Sequence, residues 1–361
     1  MKIIDKYIIK TLFSHTLATL AVLISIYSFF SFLAEVPMLG IENYKFINLL
    51  EYVILTMPQN LYALSPVIIL LGVILGLGSL ANSSELIVLR SAGISINGIV
   101  IKTLKAGLIF VIFIILIGEL VAPKFNSIAN LRKAKALNKN ITLVGKHGFW
   151  MRDKNRFINV KNNLNNKVLT GVTLFKTSDN SKLDDVTYSE KVSYDDKNLI
   201  SNNTENYTFI NEGLDVREVI YKKSNKKSII ASFDTIVLEN ITKSPKNLSI
   251  IELYNQITFL NKNKIQADIY EIEFYSRVLM PVTLIVMILL AIPFVFGSIR
   301  DKGIGKNVFI GIILSVFFQL ISKLSSQSTL FYGYNSFLGA FMPTFIIFLI
   351  ASFTLYRVSL K

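Results

Sequence analysis

Apolar residues gather into six long runs, near Leu12 to Ala34, Leu61 to Leu80, Ala106 to Ala122, Val278 to Ile299, Val308 to Ile321 and Phe337 to Tyr356. A bilayer core needs about 20 predominantly apolar residues per helix, so each run is predicted to cross a membrane. The fifth is the shortest, and Gly311 and Gln319 within it point to packing against protein rather than lipid alone. The first is too long for a signal-peptide core and no small-residue cleavage pattern follows it, so it reads as a retained span. Three runs precede a long polar segment and three follow it.

The polar segment changes period along its length. After Pro123 comes a helical stretch in which Phe125, Ile128 and Ala129 share one face, while Arg132, Lys133 and Lys135 supply charge; it reads as a stalk. From about Gly145 to Ile241 the period is two. In the clearest strand Val186, Tyr188, Val192 and Tyr194 face one way and Thr187, Ser189, Lys191 and Ser193 the other, with Glu190 breaking the apolar face. Further strands are predicted at Phe157 to Val160, Val168 to Phe175, Tyr207 to Ile210, Val216 to Tyr221 and Ser228 to Phe233, separated by Asn, Asp, Ser and Lys clusters. About seven short strands point to a sandwich or jelly roll. The capping-box spacing of Ser249 and Glu252 starts a helix, and a second stalk runs from Asp268 into the fourth span. The expected fold is an α-helical membrane protein with six transmembrane helices, three plus three, around an inserted β jelly-roll domain. The expected divisions are 1–122, 123–271 and 272–361.

Composition agrees with a membrane protein: 52% of the 361 residues are hydrophobic, and the mean hydropathy is +0.51. Charge then orients it. Lys2, Lys6 and Lys10 precede the first span against Asp5, whereas the next loop carries Glu35, Glu42 and Glu51 against Lys45. The positive-inside rule puts both termini in the cytoplasm with Arg90, Lys102, Lys105, Arg300, Lys302 and Lys306, and the segment from Pro123 to Glu271 outside. That outer segment holds much of the net charge of +14, yet long translocated segments are exempt from the rule. Its basic surface either meets anionic lipid head groups or is a solvated lysine-rich face; nucleic acid is not an expected partner. With no cysteine, thiol chemistry is excluded.

Material for catalysis is scarce. His15 and His147 stand far apart, so neither a zinc site nor a histidine-based triad can be assembled. The run from Gly303 to Asn307 departs from a phosphate loop, because Arg300 occupies the first glycine position and Asn307 the Ser/Thr position. Glu119 near one end of the third span and the kinking Pro281 and Pro293 of the fourth do not make a proton relay. The chain is therefore expected to be no enzyme and to bind no cofactor or metal, with any energy supplied by another subunit or a gradient.

Between the second and third spans lies a capped helix, expected over about 83–92. Asn82 and Glu85 have capping-box spacing, and Gly93 sits where a glycine ends a helix. Its Leu86, Ile87 and Leu89 can fill a groove on a partner, and Glu85 and Arg90 can set the register; the same helix can instead lie on lipid.

Four stretches together resemble one family: Leu75 to Ser95, Gly118 to Pro123, Gly148 to Trp150 and Pro293 to Arg300. They are similar to the LptF/LptG permeases, paired membrane subunits of the lipopolysaccharide export ABC transporter. The likeness covers almost the whole chain. The Leu-Gly-x-Leu ending of the second span and the Phe-Gly-x-x-Arg ending of the fourth favour the LptG branch over its LptF paralogue. The resemblance implies that Ser84, Glu85 and Leu86 belong to a coupling helix seated on an LptB-like ATPase dimer, which hydrolyses the ATP; Leu89 and Arg90 join that expected contact set. It also implies a lipopolysaccharide cavity lined by the first and fifth spans of this chain and an LptF-like partner. The β domain would join those of that partner and an LptC-like bitopic subunit in a slide toward an LptA-like bridge. Residence in a bacterial inner membrane, with the β domain periplasmic, follows from the same likeness. One departure bears on the ligand. Where enteric relatives carry lysines near the outer end of the first span, this chain has Ser31, Pro37 and Met38. Of two family arginines on the stalk, one is matched by Lys133 and the other by Asn130, with Arg132 and Lys135 adjacent. Either phosphate recognition has moved to Arg132, Lys133 and Lys135, or the head group carries less phosphate. The competing readings are the LptF role, a membrane scaffold or receptor, and an enzyme acting on lipid A.

Overall fold

The computed structural model describes residues 3–137, 149–153, 155–164, 168–178, 182–195, 198–212, 215–230, 244–262, 266–296 and 304–359. Its helices are α1 (Ile3–Glu35), α2 (Phe46–Asn82), α3 (Glu85–Ser91), α4 (Ile96–Leu116), α5 (Ala122–Ala136), α6 (Ile250–Lys262), α7 (Asp268–Phe296), α8 (Ile304–Tyr332) and α9 (Ser336–Ser359). The strands are β1 (Phe149–Asp153), β2 (Arg156–Leu164), β3 (Val168–Thr177), β4 (Leu183–Asp195), β5 (Asn198–Glu212) and β6 (Asp215–Ile230). Two compact units result: Met1–Leu39, Leu49–Ala129 and Asp268–Lys361 form one, Gly40–Asn48 and Asn130–Ala267 the other.

Among the described residues six helices are long and apolar enough to cross a membrane, and their apolar lengths lie in the first unit. Several outrun the expected apolar runs: α2 begins at Phe46 and takes in a further, mostly apolar stretch to Met57, and α8 continues through polar turns to Tyr332. Helix α2 is the most enclosed, whereas α1 and α8 leave most of their apolar surface uncovered. Close approach depends on small residues: a Cβ at Gly72 would lie 2.7 Å from the Thr16 Cα, and one at Gly76 2.8 Å from the Leu12 side chain, so α1 lies directly against α2. Buried residues of α1 recur at Ile8, Leu12, Thr16 and Thr19, and beyond Thr19 the helix has none.

Between α4 and α5 the backbone adopts one π turn, Ile117–Val121. Pro123 supplies the reason: it has no N–H, and its ring would collide with the carbonyl four residues back, which a widened turn accommodates. The third span thus continues into the stalk without a break. On that stalk the buried positions are Ala122, Pro123, Asn126, Ala129 and Ala136, while Phe125 and Ile128 are exposed. Phe125 and Ile128 thus share the exposed face, and Ala129 lies on the buried one with Asn126.

In the second unit the six strands form one antiparallel sheet in sequential order, β1 to β6. Among the described residues the strands are longer than expected, β6 reaching 16 residues. The strand predicted at Ser228 to Phe233 is the end of β6 as far as Ile230; residues 231–233, like Gly148 and His147, lie outside the described residues. Pairing skips a row formed by Lys161, Gly171, Glu190, Asn203 and Asn225 on β2 to β6. Gly171 and Asn203 there take positive φ, 62° and 53°. The inward alternation reverses across that row: Leu169 is buried on one side and Val172 and Leu174 on the other, and likewise Val192 against Thr187 and Ser189. The face of β4 expected to be wet is therefore buried at Thr187 and Ser189, and Glu190 marks the reversal. Two of the buried hydroxyls are satisfied within the sheet, Thr187 donating to Asn206 and Thr204 to the Ser224 carbonyl at 3.0 Å. In the same unit the loop ahead of α2 is tied to the stalk end, the Asn43 N–H donating to the Ala136 carbonyl at 2.9 Å. At the start of α6 the expected capping box is present: the Ser249 N–H donates to Glu252 Oε2 at 2.8 Å and the Glu252 N–H to Ser249 Oγ at 3.3 Å.

Candidate functional site

Helix α3 has seven residues, about two turns rather than three. Its expected cap is also displaced. Asn82 is the last residue of α2, and the chain turns at Ser84, which takes the left-handed conformation (φ 60°) and makes no side-chain cap bond. Glu85 instead accepts from Ser83 Oγ at 2.9 Å and from the Tyr7 hydroxyl at 3.1 Å. The other end is as expected: Gly93 has φ 84°, its N–H donates to the Arg90 carbonyl at 3.0 Å, and the Ile94 N–H donates to the Leu89 carbonyl at 3.1 Å. That is a Schellman ending, which holds the helix as a unit.

The faces of α3 sort the predicted contact residues. Leu86 is fully buried in the cluster that contains Ile8 and Ile99, and Leu89 packs against that cluster. Both turn into the chain's own core, so they anchor the helix and are not available to fill a partner's groove. Ser84 and Arg90 are exposed and Glu85 is half-buried. The outward apolar pair is Ile87, 46% exposed, and Val88, 66% exposed. Periodicity missed Val88, because Leu86 to Leu89 is an unbroken aliphatic run and a two-turn helix offers too few residues to fix its phase.

Four side chains of the first unit form a buried ionic cluster. The Arg277 guanidinium of α7 donates to Glu119 Oε1 at 2.9 Å and to Glu273 Oε1 at 3.2 Å, and lies 5.5 Å from the centre of the Tyr62 ring. Glu119 is presented by the π turn, and a Cβ at neighbouring Gly118 would collide with Tyr62, so the glycine lets α4 close on α2. Ionic residues inside a membrane helix bundle are affordable when they pair in this way.

The predicted ligand residues fall on two elements. Ser31 is half-buried on the outer half of α1. On α5, Arg132 and Lys135 are exposed, three apart and hence on one face, and Lys133 is partly covered. A further cation, Lys323, lies beyond the fifth apolar run, which ends at Ile321. Helix α8 continues, and exposed Gln319, Lys323 and Gln327 recur every four residues as a polar stripe along it. Polar residues on a membrane helix face protein or a water-filled cavity rather than acyl chains. Among the described residues no group of His, Cys, Asp and Glu could hold a metal ion.

Residues 6–357 match the family described as "Lipopolysaccharide export system permease LptF/LptG". The chain belongs to the LptF/LptG permease family. It is 26% identical over 363 residues to the "Lipopolysaccharide export system permease protein LptG" of Escherichia coli strain K12, covering 99% of each chain. It is 27% identical over 345 residues to the protein of the same name from Haemophilus influenzae, covering 95% of each. As an LptF/LptG permease it is a multi-pass membrane subunit of the lipopolysaccharide export system, and the 3+3 arrangement of helices around an antiparallel sheet is that family's architecture.

Proposed function

We propose that this LptF/LptG permease is the LptG-type half of the exporter, and that α3 is its docking helix for an ATPase dimer which supplies the hydrolysis. It works in the bacterial inner membrane beside an LptF-like paralogue, with an LptC-like subunit and an LptA-like bridge receiving the lipid. Both termini and α3 face the cytoplasm, and the β unit faces the periplasm. Lys6, Lys10, Lys102 and Lys105 support this orientation, clustering where α1 and α4 begin. The observation that carries the reading is the outward Ile87 and Val88 pair on a helix whose opposite face is locked into the core. An aliphatic side chain fully buried contributes about 1.5–3 kcal/mol, and roughly half of each is still exposed. Replacing both by Asp is expected to lower ATPase co-purification at least about tenfold while the paired permease stays bound. Undiminished ATPase recovery would place α3 on lipid or outside the cytoplasm.

For the ligand, Arg132, Lys133 and Lys135 are assigned to lipopolysaccharide phosphates; Ser31 contributes at most a hydroxyl. Lys133 is partly covered, and a charge-assisted hydrogen bond at such a position outweighs surface charges screened within about 8 Å. Changing the three stalk cations to Gln is expected to weaken lipopolysaccharide binding about tenfold, and changing exposed Lys176, Lys191 and Lys222 to have little effect. Equal losses in a binding titration at physiological salt would remove the stalk from the site.

A further inference from the structure

The inner end of α1 is held at two points that lie on different neighbours. Asp5 is ion-paired with Lys102 of α4 at 2.8 Å, and the Tyr7 hydroxyl donates to Glu85 of α3 at 3.1 Å. Two residues apart on a helix, these side chains project about 200° from one another, so α1 is gripped from two sides. Ile8 lies in the same buried cluster as Leu86 of α3 and Ile99 of α4. The grip is local. Past Thr19 no residue of α1 is buried, and the remaining residues to Glu35 extend the helix by about 24 Å.

A rigid rod fastened at one end and uncovered at the other is a lever. We propose that Asp5 and Tyr7 form a clasp through which displacement of α3 is delivered first to α1, swinging the outer half of the first span; both are positioning residues for export. This rests on the docking of α3 to the ATPase proposed above. It also gives Glu85 a task inside the chain. Glu85 receives the Tyr7 and Ser83 hydroxyls, so it ties the docking helix to the first span. Lys102 has the matching task at the start of α4, so α1, α3 and α4 move as one corner.

Tyr7 is 49% exposed, so Tyr7→Phe removes the hydroxyl and leaves the packing of Ile8 intact. The test uses the complete permease–ATPase complex reconstituted in vesicles containing lipopolysaccharide, with Tyr7→Phe, Asp5→Asn and the double variant. Because the chain has no cysteine, single labels can be introduced at Ser25 on the uncovered half of α1 and at Ser91 on α3. A net hydrogen bond is worth about a two- to tenfold factor in an equilibrium, and the half-buried Asp5–Lys102 pair adds to it. The double variant is expected to keep its ATPase and its hydrolysis rate, to release about tenfold less lipopolysaccharide per ATP, and to lose the nucleotide-driven shift at Ser25 but not at Ser91. If the double variant keeps both the Ser25 shift and normal release per ATP, the clasp is overturned. If the unmodified chain brings down no ATPase, the docking of α3 itself fails, which is a separate result.

Discussion

Arg277→Leu is expected to destabilise the membrane unit by about 3–5 kcal/mol, the usual cost of removing one partner from a buried charge pair. The side chain is 1% exposed and joins Glu119 of the π turn to Glu273 of its own helix. Without the guanidinium, two carboxylates stay enclosed without the cation that joins them, and the α4–α7 contact loses its directional bonds. Lysine keeps the charge but cannot offer the same fork of donors, so Arg277→Lys should fall between wild type and leucine. Changing Arg277→Leu together with Glu119→Gln and Glu273→Gln removes every formal charge and should recover most of the loss. Thermal unfolding of the purified protein in detergent gives the order: wild type, then the triple variant and lysine, with leucine lowest. An unchanged melting temperature for Arg277→Leu would mean that the cluster is solvated and carries no structural load.

This cluster also marks the boundary of what the sequence could say. The six spans were legible because hydropathy integrates over about 20 residues and needs no knowledge of neighbours. Glu119 was visible as an intramembrane acid, but its partner lies 158 residues away, and nothing local pairs them. The π turn is likewise silent in the periodicity, although Pro123 announces some departure from a regular helix. For α3, the glycine at its end was readable, since only a positive φ suits Gly93 there. Its beginning was not, because Asn82 is as good at the end of α2 as at the start of a new helix, and tertiary packing decided. On the sheet, strict alternation was extrapolated through Glu190, whereas the backbone reverses there in concert with Gly171 and Asn203 on the adjoining strands. A reversal shared by several strands has no signature in any one of them. Lys323 was missed for a simpler reason: a helix that changes from apolar to polar still continues if its other face stays packed, as Phe318 and Thr329 do.

Gly72→Leu is expected to have the second large effect, by driving α1 away from α2. Even an alanine Cβ at this position would lie 2.7 Å from both the Cα and Oγ1 of Thr16 and 2.9 Å from its Cβ. A collision with a flexible side-chain tip can be relieved by rotation, but one with a backbone atom moves a whole helix. Overpacking of this kind costs about 1–3 kcal/mol for a methyl group, and leucine adds three more heavy atoms to the same gap. Thr16→Ala removes Oγ1 but leaves the Cα and Cβ in place, so it should not rescue Gly72→Ala. Gly305→Ala is the control, because a Cβ there meets nothing within 4 Å and alanine is the better helix former. The two changes should diverge in function as well as stability. Gly72→Ala displaces α1 along the stretch between Leu12 and Thr19 that seats it on the bundle, so hydrolysis by the docked ATPase should persist while lipopolysaccharide release per ATP falls. Release and melting temperature are measured on the same reconstituted complex. If Gly72→Ala matches Gly305→Ala in both, the first span is not seated on α2 through this glycine, and its mobility must be set by the partner permease.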